Sequence, residues 1–190
     1  MGGFRTQHGS ALNIALALHS RPFFTARAER VRFQPEGYLY LAEDRAVAAE
    51  LAARAEFQCG LGLPIEHPEP ESKVPFLVGD GYLATNFCAL DGLYLPALVH
   101  RALIEEAHSW GHLAGHWTGR YEVTFDHHAL VGATERPGVW ACCGFSGHGV
   151  MQSPAVGEAL AAMILGETPP LDIGALSPLR TEPLIDRTQL

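Results

Sequence analysis

Gly144-Phe145-Ser146-Gly147-His148-Gly149, followed by Val150 through Leu165 at helical spacing, is the stretch on which the fold of this chain turns. A β-rich run, Gly138-Val139-Trp140-Ala141-Cys142-Cys143, precedes it. Three glycines in six residues let the backbone take positive φ and pass close to a ligand. The amides that open the helix have no partner within it, so they point outward as donors beside the positive end of the helix dipole. A strand, a Gly-rich loop and a helix in that order predict a site for a phosphate or another electron-rich group. The plainer reading is a tight turn that packs a helix against a strand.

Outward from this loop, the remaining chain reads as a folded α+β protein. Its 190 residues are 47% hydrophobic, enough to build a core in one domain or two small ones. Thirteen basic and 21 acidic side chains leave a net charge of −8 without a basic cluster, which argues against nucleic acid or an anionic membrane as partner. No apolar run reaches the length of a bilayer span, and no signal peptide is expected at the start. Cys59, Cys88, Cys142 and Cys143 show no Cys-x-x-Cys spacing, and the reading is of free thiols in a reducing cytoplasm.

Along the chain, Ala11 to Ala28 carries apolar residues at helical spacing with Ser10 as its cap, and Pro22 is a point of bending or early termination. Val31 to Leu41 alternates around Pro35-Glu36-Gly37 and predicts a hairpin. Ala46 to Cys59 reads as a helix with a solvated face. His67 to Ser72 holds Pro68 and Pro70 and predicts a loop. Tyr82 to Ala89 reads as a strand and Leu95 to His108 as a helix. The last block reads strand, strand, strand, helix, with an irregular tail.

Trp117-Thr118-Gly119-Arg120-Tyr121-Glu122-Val123-Thr124-Phe125-Asp126-His127-His128, then Gly132, the Gly144 loop and Ser153-Pro154-Ala155-Val156-Gly157, resemble the C-terminal part of the FAD-dependent D-amino-acid-oxidase superfamily. The glycine/sarcosine oxidase-like enzymes are the members most similar in pattern. The resemblance runs over about seventy residues and extends to the tail from Pro170 to Arg180. Gly2-Gly3-Phe4-Arg5-Thr6-Gln7-His8, Gly37 to Ala42 and Asp91-Gly92-Leu93-Tyr94-Leu95-Pro96 resemble upstream segments of the same family. The family's Gly-x-Gly-x-x-Gly phosphate fingerprint does not occur in these residues, and only Ser109 to His116 stand where the family has a long middle region.

The resemblance implies a mixed α/β fold in two parts: a partial FAD-binding domain and a partial antiparallel-sheet substrate domain. Residues 1–110 would hold the FAD-proximal helix and the substrate-domain elements, 117–180 the C-terminal FAD-binding block, and 181–190 a tail. It implies FAD as cofactor, held by Gly144, Phe145, Ser146, Gly147, His148, Gly149, Val150 and Met151 against the edge of the ring that gathers negative charge on reduction. Arg5 and His8 fall where the family places polar groups near the flavin face, and a guanidinium there could hold an amino-acid carboxylate. At the position of Met151 the sarcosine-oxidising members carry a lysine, and methionine offers no cation. The implied substrate is a small amino acid or amine. Alternative readings are a non-catalytic remnant or subunit needing a partner chain, and a small metal-binding protein using His108, His112 and His116 at four-residue spacing; a homo-oligomer or a partner chain is the expected assembly. No metal is expected on the favoured reading.

Overall fold

Residues 2–77, 81–110 and 122–185 are described by the computed structural model, the side chain of Trp110 excepted. Among them β1 (Gly2–Phe4) opens the chain and lies antiparallel to β5 (Gly92–Tyr94). α1 (Ala11–Ala26) then runs beneath the C-terminal helix α6 (Gly149–Leu165). Between them stand α2 (Ala28–Val31), β2 (Tyr38–Ala42), α3 (Arg45–Gly60), β3 (Ile65–Glu66), α4 (Pro70–Lys73), β4 (Ala84–Cys88) and α5 (Pro96–Trp110). β6 (Leu130–Ala133) and β7 (Trp140–Cys143) form an antiparallel ribbon just before α6. A three-stranded antiparallel sheet in the order β2-β4-β3 makes a second wing. The fold is thus mixed helix and antiparallel sheet, as the sequence implied.

α1 begins where expected: the Ser10 hydroxyl accepts a hydrogen bond from the Asn13 amide, satisfying one first-turn donor. It passes through Pro22 without ending there. α6 also contains a proline, Pro154, which removes the amide that would have bonded the Val150 carbonyl. The Ser153 hydroxyl donates to that carbonyl instead, at 3.0 Å. One residue on, the Ala155 amide donates to Ser20 Oγ of α1 at 3.1 Å, and Gln152 Nε2 donates to Asn13 Oδ1 at 3.1 Å. Polar bonds therefore register the two helices, while apolar residues hold them.

Two hydrophobic clusters share α1. Phe4, Phe24, Val31, Phe33, Tyr94 and Val99 form one with Ala17 and Met151; Leu16, Val131, Ala155, Val156, Ile173 and Leu176 belong to the other. Burying a Phe or Leu completely contributes about 2 kcal/mol each, so these clusters supply the main favourable term of the fold.

Three local expectations are corrected. The hairpin over Val31 to Leu41 does not form. Val31 closes α2, Gln34 bridges Leu93, and Tyr38–Ala42 pairs with Ala84–Cys88. Alternation reveals an extended strand but not its partner, and here the turn at Pro35-Glu36-Gly37 passes from one sheet to another. The loop over His67 to Ser72 contains the first residues of α4, with Pro70 at the N-terminal position where its missing amide costs nothing. Of the three strands expected before the last helix, residues 122–125 are irregular and Trp117–Tyr121 lie outside the described residues. α3, β4 and α5 lie close to their expected positions.

Candidate functional site

The Gly-rich loop takes up the left-handed backbone its glycines allow. Gly144, Ser146 and Gly147 have φ of 71°, 50° and 86°. A Cβ on Gly144 would run into Thr124 Cγ2, so the position is closed to side chains for reasons of space as well as φ. Gly144→Ala is expected to lower stability by about 1–3 kcal/mol, seen as a shifted urea midpoint with unchanged slope. The loop is laced to the preceding segment: the Ser146 amide donates to the Glu122 carbonyl at 3.2 Å, and the Thr124 amide donates to Ser146 Oγ at 3.3 Å. The Gly144 amide donates to the Glu122 carboxylate and holds that carboxyl below its ordinary value.

α6 starts directly after this loop, with His148 at its N-cap and no side chain capping it. Its first intrahelical bond runs from the Gln152 amide to the His148 carbonyl at 3.2 Å, so the amides of Gly149, Val150 and Met151 precede the helical ladder. They stand at the positive end of a helix of 17 residues. Phe145, Val150 and Val156 help line an apolar cavity of about 410 Å³ with Pro96, Val99 and Leu103.

The second sequence-derived group comes to the same place. The His8 ring meets the His148 ring edge-on, with centroids 5.3 Å apart and planes at 90°. The Arg5 amide contacts Met151 Sδ at 3.5 Å, and Arg5 Nη1 lies 3.5 Å from the Tyr40 hydroxyl. Near a chain terminus exposure would be unremarkable, yet His8 is buried and Arg5 half-buried. Burial, followed by the neighbouring His148 and Arg5, lowers the His8 pKa to about 3, so its ring is neutral at neutral pH. Of the proposed cofactor residues, Met151 and Gly144 are buried, Phe145, Ser146, His148 and Gly149 half-buried, and Gly147 and Val150 exposed.

Two carboxylates that sequence reasoning did not single out hold this arrangement. Asp91, in the turn before β5, is completely buried. It accepts hydrogen bonds from the Thr6 amide at 2.5 Å, the Thr6 hydroxyl at 2.6 Å and Gln7 Nε2 at 2.9 Å. Those bonds fix the segment between Arg5 and His8, and Gln58 Nε2 completes it by donating to the His8 carbonyl at 3.1 Å. Burial pushes the Asp91 carboxyl up, against the pull of its Thr6 and Gln7 bonds.

Asp126 does the same for the other half. Its carboxylate takes Arg180 Nη2 at 2.8 Å and Nε at 3.0 Å, with the Leu184 and His128 amides at 3.0 and 3.1 Å. Burial opposes ionisation, but the Arg180 guanidinium and those two amides outweigh it and hold the Asp126 carboxyl well below the usual carboxylate range. Arg180 also donates to the carbonyls of His128, Ala129, Leu176 and Ser177. Asp126 and Asp91 both lie in segments that carry the resemblance described above. Their long-range partners left no local signal.

Of the alternative histidine cluster, His108 is on α5, and His112 and His116 lie outside the described residues. Among the described residues no group of three or more His, Cys, Asp or Glu is placed to hold a metal ion, the four cysteines are free thiols, and no helix is long and apolar enough to cross a membrane.

Comparison with known proteins bears on this geometry. Residues 101–163, which contain the loop and most of α6, match the family described as DAO: FAD dependent oxidoreductase. FAD-dependent oxidoreductase domain-containing protein 1 of Bos taurus is 45% identical over 51 residues, which are 26% of this chain and 10% of that protein. The chain therefore matches about a tenth of the length of that relative. The crystal structure of L-proline dehydrogenase from P.horikoshii superposes with a TM-score of 0.81 at 16% identity, covering 94% of this chain and 85% of that one. Residues 101–163 thus match the FAD dependent oxidoreductase family, in a chain whose fold is similar to that of the dehydrogenase.

Proposed function

We propose that this chain holds the ring end of a flavin and a small amino acid or secondary amine beside it, as part of an FAD-dependent amine oxidoreductase. The observation that carries the reading is the uncapped N-terminus of α6, presented by a left-handed loop, with the buried His8 ring 5.3 Å from His148. The residues present fit a flavin ring on chemical grounds. Helix-opening amides suit an electron-rich carbonyl edge, and the buried neutral imidazole of His8, whose Nε2 has no partner among the described residues, suits a polar neighbour. The matched family and the bovine relative's name point to the same cofactor.

A bound flavin would supply two-electron oxidation of a carbon–nitrogen bond. The chain's own part is orientation and charge. The amides of Gly149, Val150 and Met151 stabilise negative charge at the ring edge, and they are fixed in place before any reaction begins. Arg5 offers a guanidinium fork for a substrate carboxylate, with the Tyr40 hydroxyl 3.5 Å from Nη1. Met151 places an apolar thioether where a cation would otherwise compete for that carboxylate. His8, neutral and buried, does not carry positive charge into the site.

The test is direct. The purified chain titrated with FAD is expected to quench flavin fluorescence and, with a small amino acid and an electron-accepting dye, to reduce the dye. Arg5→Met is expected to raise KM by about 10–100-fold, the worth of a charged hydrogen-bonded contact, while leaving flavin binding unchanged. A chain that neither binds flavin nor oxidises any amine would overturn the proposal.

A further inference from the structure

β7 leaves one of its edges open. Among the described residues its one strand partner is β6, in a sheet of two strands. The Thr134 amide donates to the Val139 carbonyl at 3.0 Å, which fixes the alternation of the ladder. With Gly132 opposite Ala141 and Val131 opposite Cys142, the backbone of Ala141 and Cys143 turns toward β6, and that of Trp140 and Cys142 turns away. Gly144, next in the outward series, agrees: its amide leaves the ribbon to reach the Glu122 carboxylate. Trp140 and Cys142 each present an amide and a carbonyl on the open edge.

Open strand edges in soluble proteins are commonly blunted by charge or proline. β7 carries neither. Residues 137–157 include no Asp, Glu, Lys or Arg, although the chain has a net charge of −8. That charge makes two copies repel, and this neutral stretch is where they can approach with least cost. The stretch is also apolar. Cys142 lines the cavity of about 410 Å³ together with Val99, Phe145 and Val150, and Val139 and Val150 are exposed. Trp140, two residues back along the strand, shares the face of Cys142.

We propose that two copies of this chain associate through this edge, β7 against β7 and antiparallel, about a two-fold axis at Ala141. In that register Trp140 lies opposite Cys142 of the second copy, and each of the two symmetric pairs exchanges both of its backbone bonds. Centring the axis on Cys142 would instead set Trp140 against Gly144, whose amide is already given to Glu122. The register also lays the indole of the second copy's Trp140 beside Cys142, at the wall of the apolar cavity. Tryptophan in such a position is a strong interface anchor. The two ribbons merge into one sheet, and the strand that leads into the Gly144 loop becomes an inner strand.

Sedimentation equilibrium of the full chain is expected to show a dimer at chain concentrations on the order of 10 μM. Cys142→Pro removes an outward amide that β6 does not use. It is expected to weaken association by about 30-fold, the worth of the two backbone bonds lost, with far-UV circular dichroism unchanged. Disulfide trapping reads the register independently, in a background carrying Cys59→Ser, Cys142→Ser and Cys143→Ser. There Ala141→Cys is expected to form a linked dimer on mild oxidation, because the axis sets the residue against its own copy at about 4.5 Å between Cα atoms. Val139→Cys, roughly 13 Å from its copy, is expected to stay unlinked. A monomer at about 100 μM, a folded Cys142→Pro chain that dimerises as tightly as the parent, or linkage of Val139→Cys as ready as that of Ala141→Cys overturns the proposal. Should Cys142→Pro fail to fold, the two cysteine variants decide.

Discussion

Arg180→Ala is expected to be the most damaging single substitution in the described residues, at about 3–5 kcal/mol. Arg180 and Asp126 form an ion pair whose side chains are 8% and 1% exposed. Removing the guanidinium strands the Asp126 carboxylate in a dry site and takes a donor from four backbone carbonyls at once. Breaking one half of such a pair is far costlier than replacing both halves. Arg180→Met with Asp126→Asn should therefore recover part of the loss, and a double-mutant cycle by urea unfolding measures the coupling. For a chain of this length the single change corresponds to a drop in Tm on the order of 10 °C. If the single and double variants unfold at the same urea concentration, the pair is not the clamp described here.

The pH dependence of this clamp has a definite sign. The folded carboxyl of Asp126 titrates below its unfolded value, so its contribution is complete above the ordinary carboxylate range. It is lost as pH falls through the lower folded value. Acid should therefore loosen the residues 177–185 that Arg180 and Leu184 tie down, and Asp126→Asn should abolish that part of the acid response.

Asp91→Ala is the second large effect, expected at about 3 kcal/mol. It leaves the Thr6 amide, the Thr6 hydroxyl and one Gln7 donor without their acceptor in a fully buried position, each at a cost of about 1–3 kcal/mol before relaxation. Asp91→Asn keeps one oxygen and should cost distinctly less. The pH sign is opposite to that of Asp126. Burial raises the Asp91 carboxyl, so ionisation penalises the fold and the penalty fades as pH falls through the raised value. Because Asp91 fixes the backbone that carries Arg5 and His8, the alanine variant should also lose flavin affinity, whereas Arg5→Met should not. Unchanged thermal unfolding of Asp91→Ala would refute the clamp.

Much of this architecture was legible because it is local. Ser10 before an amphipathic run gave the start of α1, and the apolar spacing after Gly149 gave α6. Glycines at 144 and 147 announced left-handed backbone that the structure contains, although Ser146 adopts it too. What stayed hidden was partnership. Nothing about Gln34 says that it bridges Leu93, and nothing about Asp91 says that it meets Thr6, 85 residues earlier. Periodicity reports which face of an element is apolar, not which element covers it. The same limit hid the pairing of Asp126 with Arg180, two charged residues 54 positions apart.

The placement of α1 has a consequence for how the molecule comes apart. Leu16 belongs to one apolar cluster and the adjacent Ala17 to the other, so a single helix closes both. Neither cluster can open fully without stripping a face from that helix. The two ends of the chain then share one cooperative transition instead of melting in stages. A lesion in the C-terminal ribbon is felt as more frequent opening around Phe4 and Tyr94, and the loop before α6 is lost together with the fold.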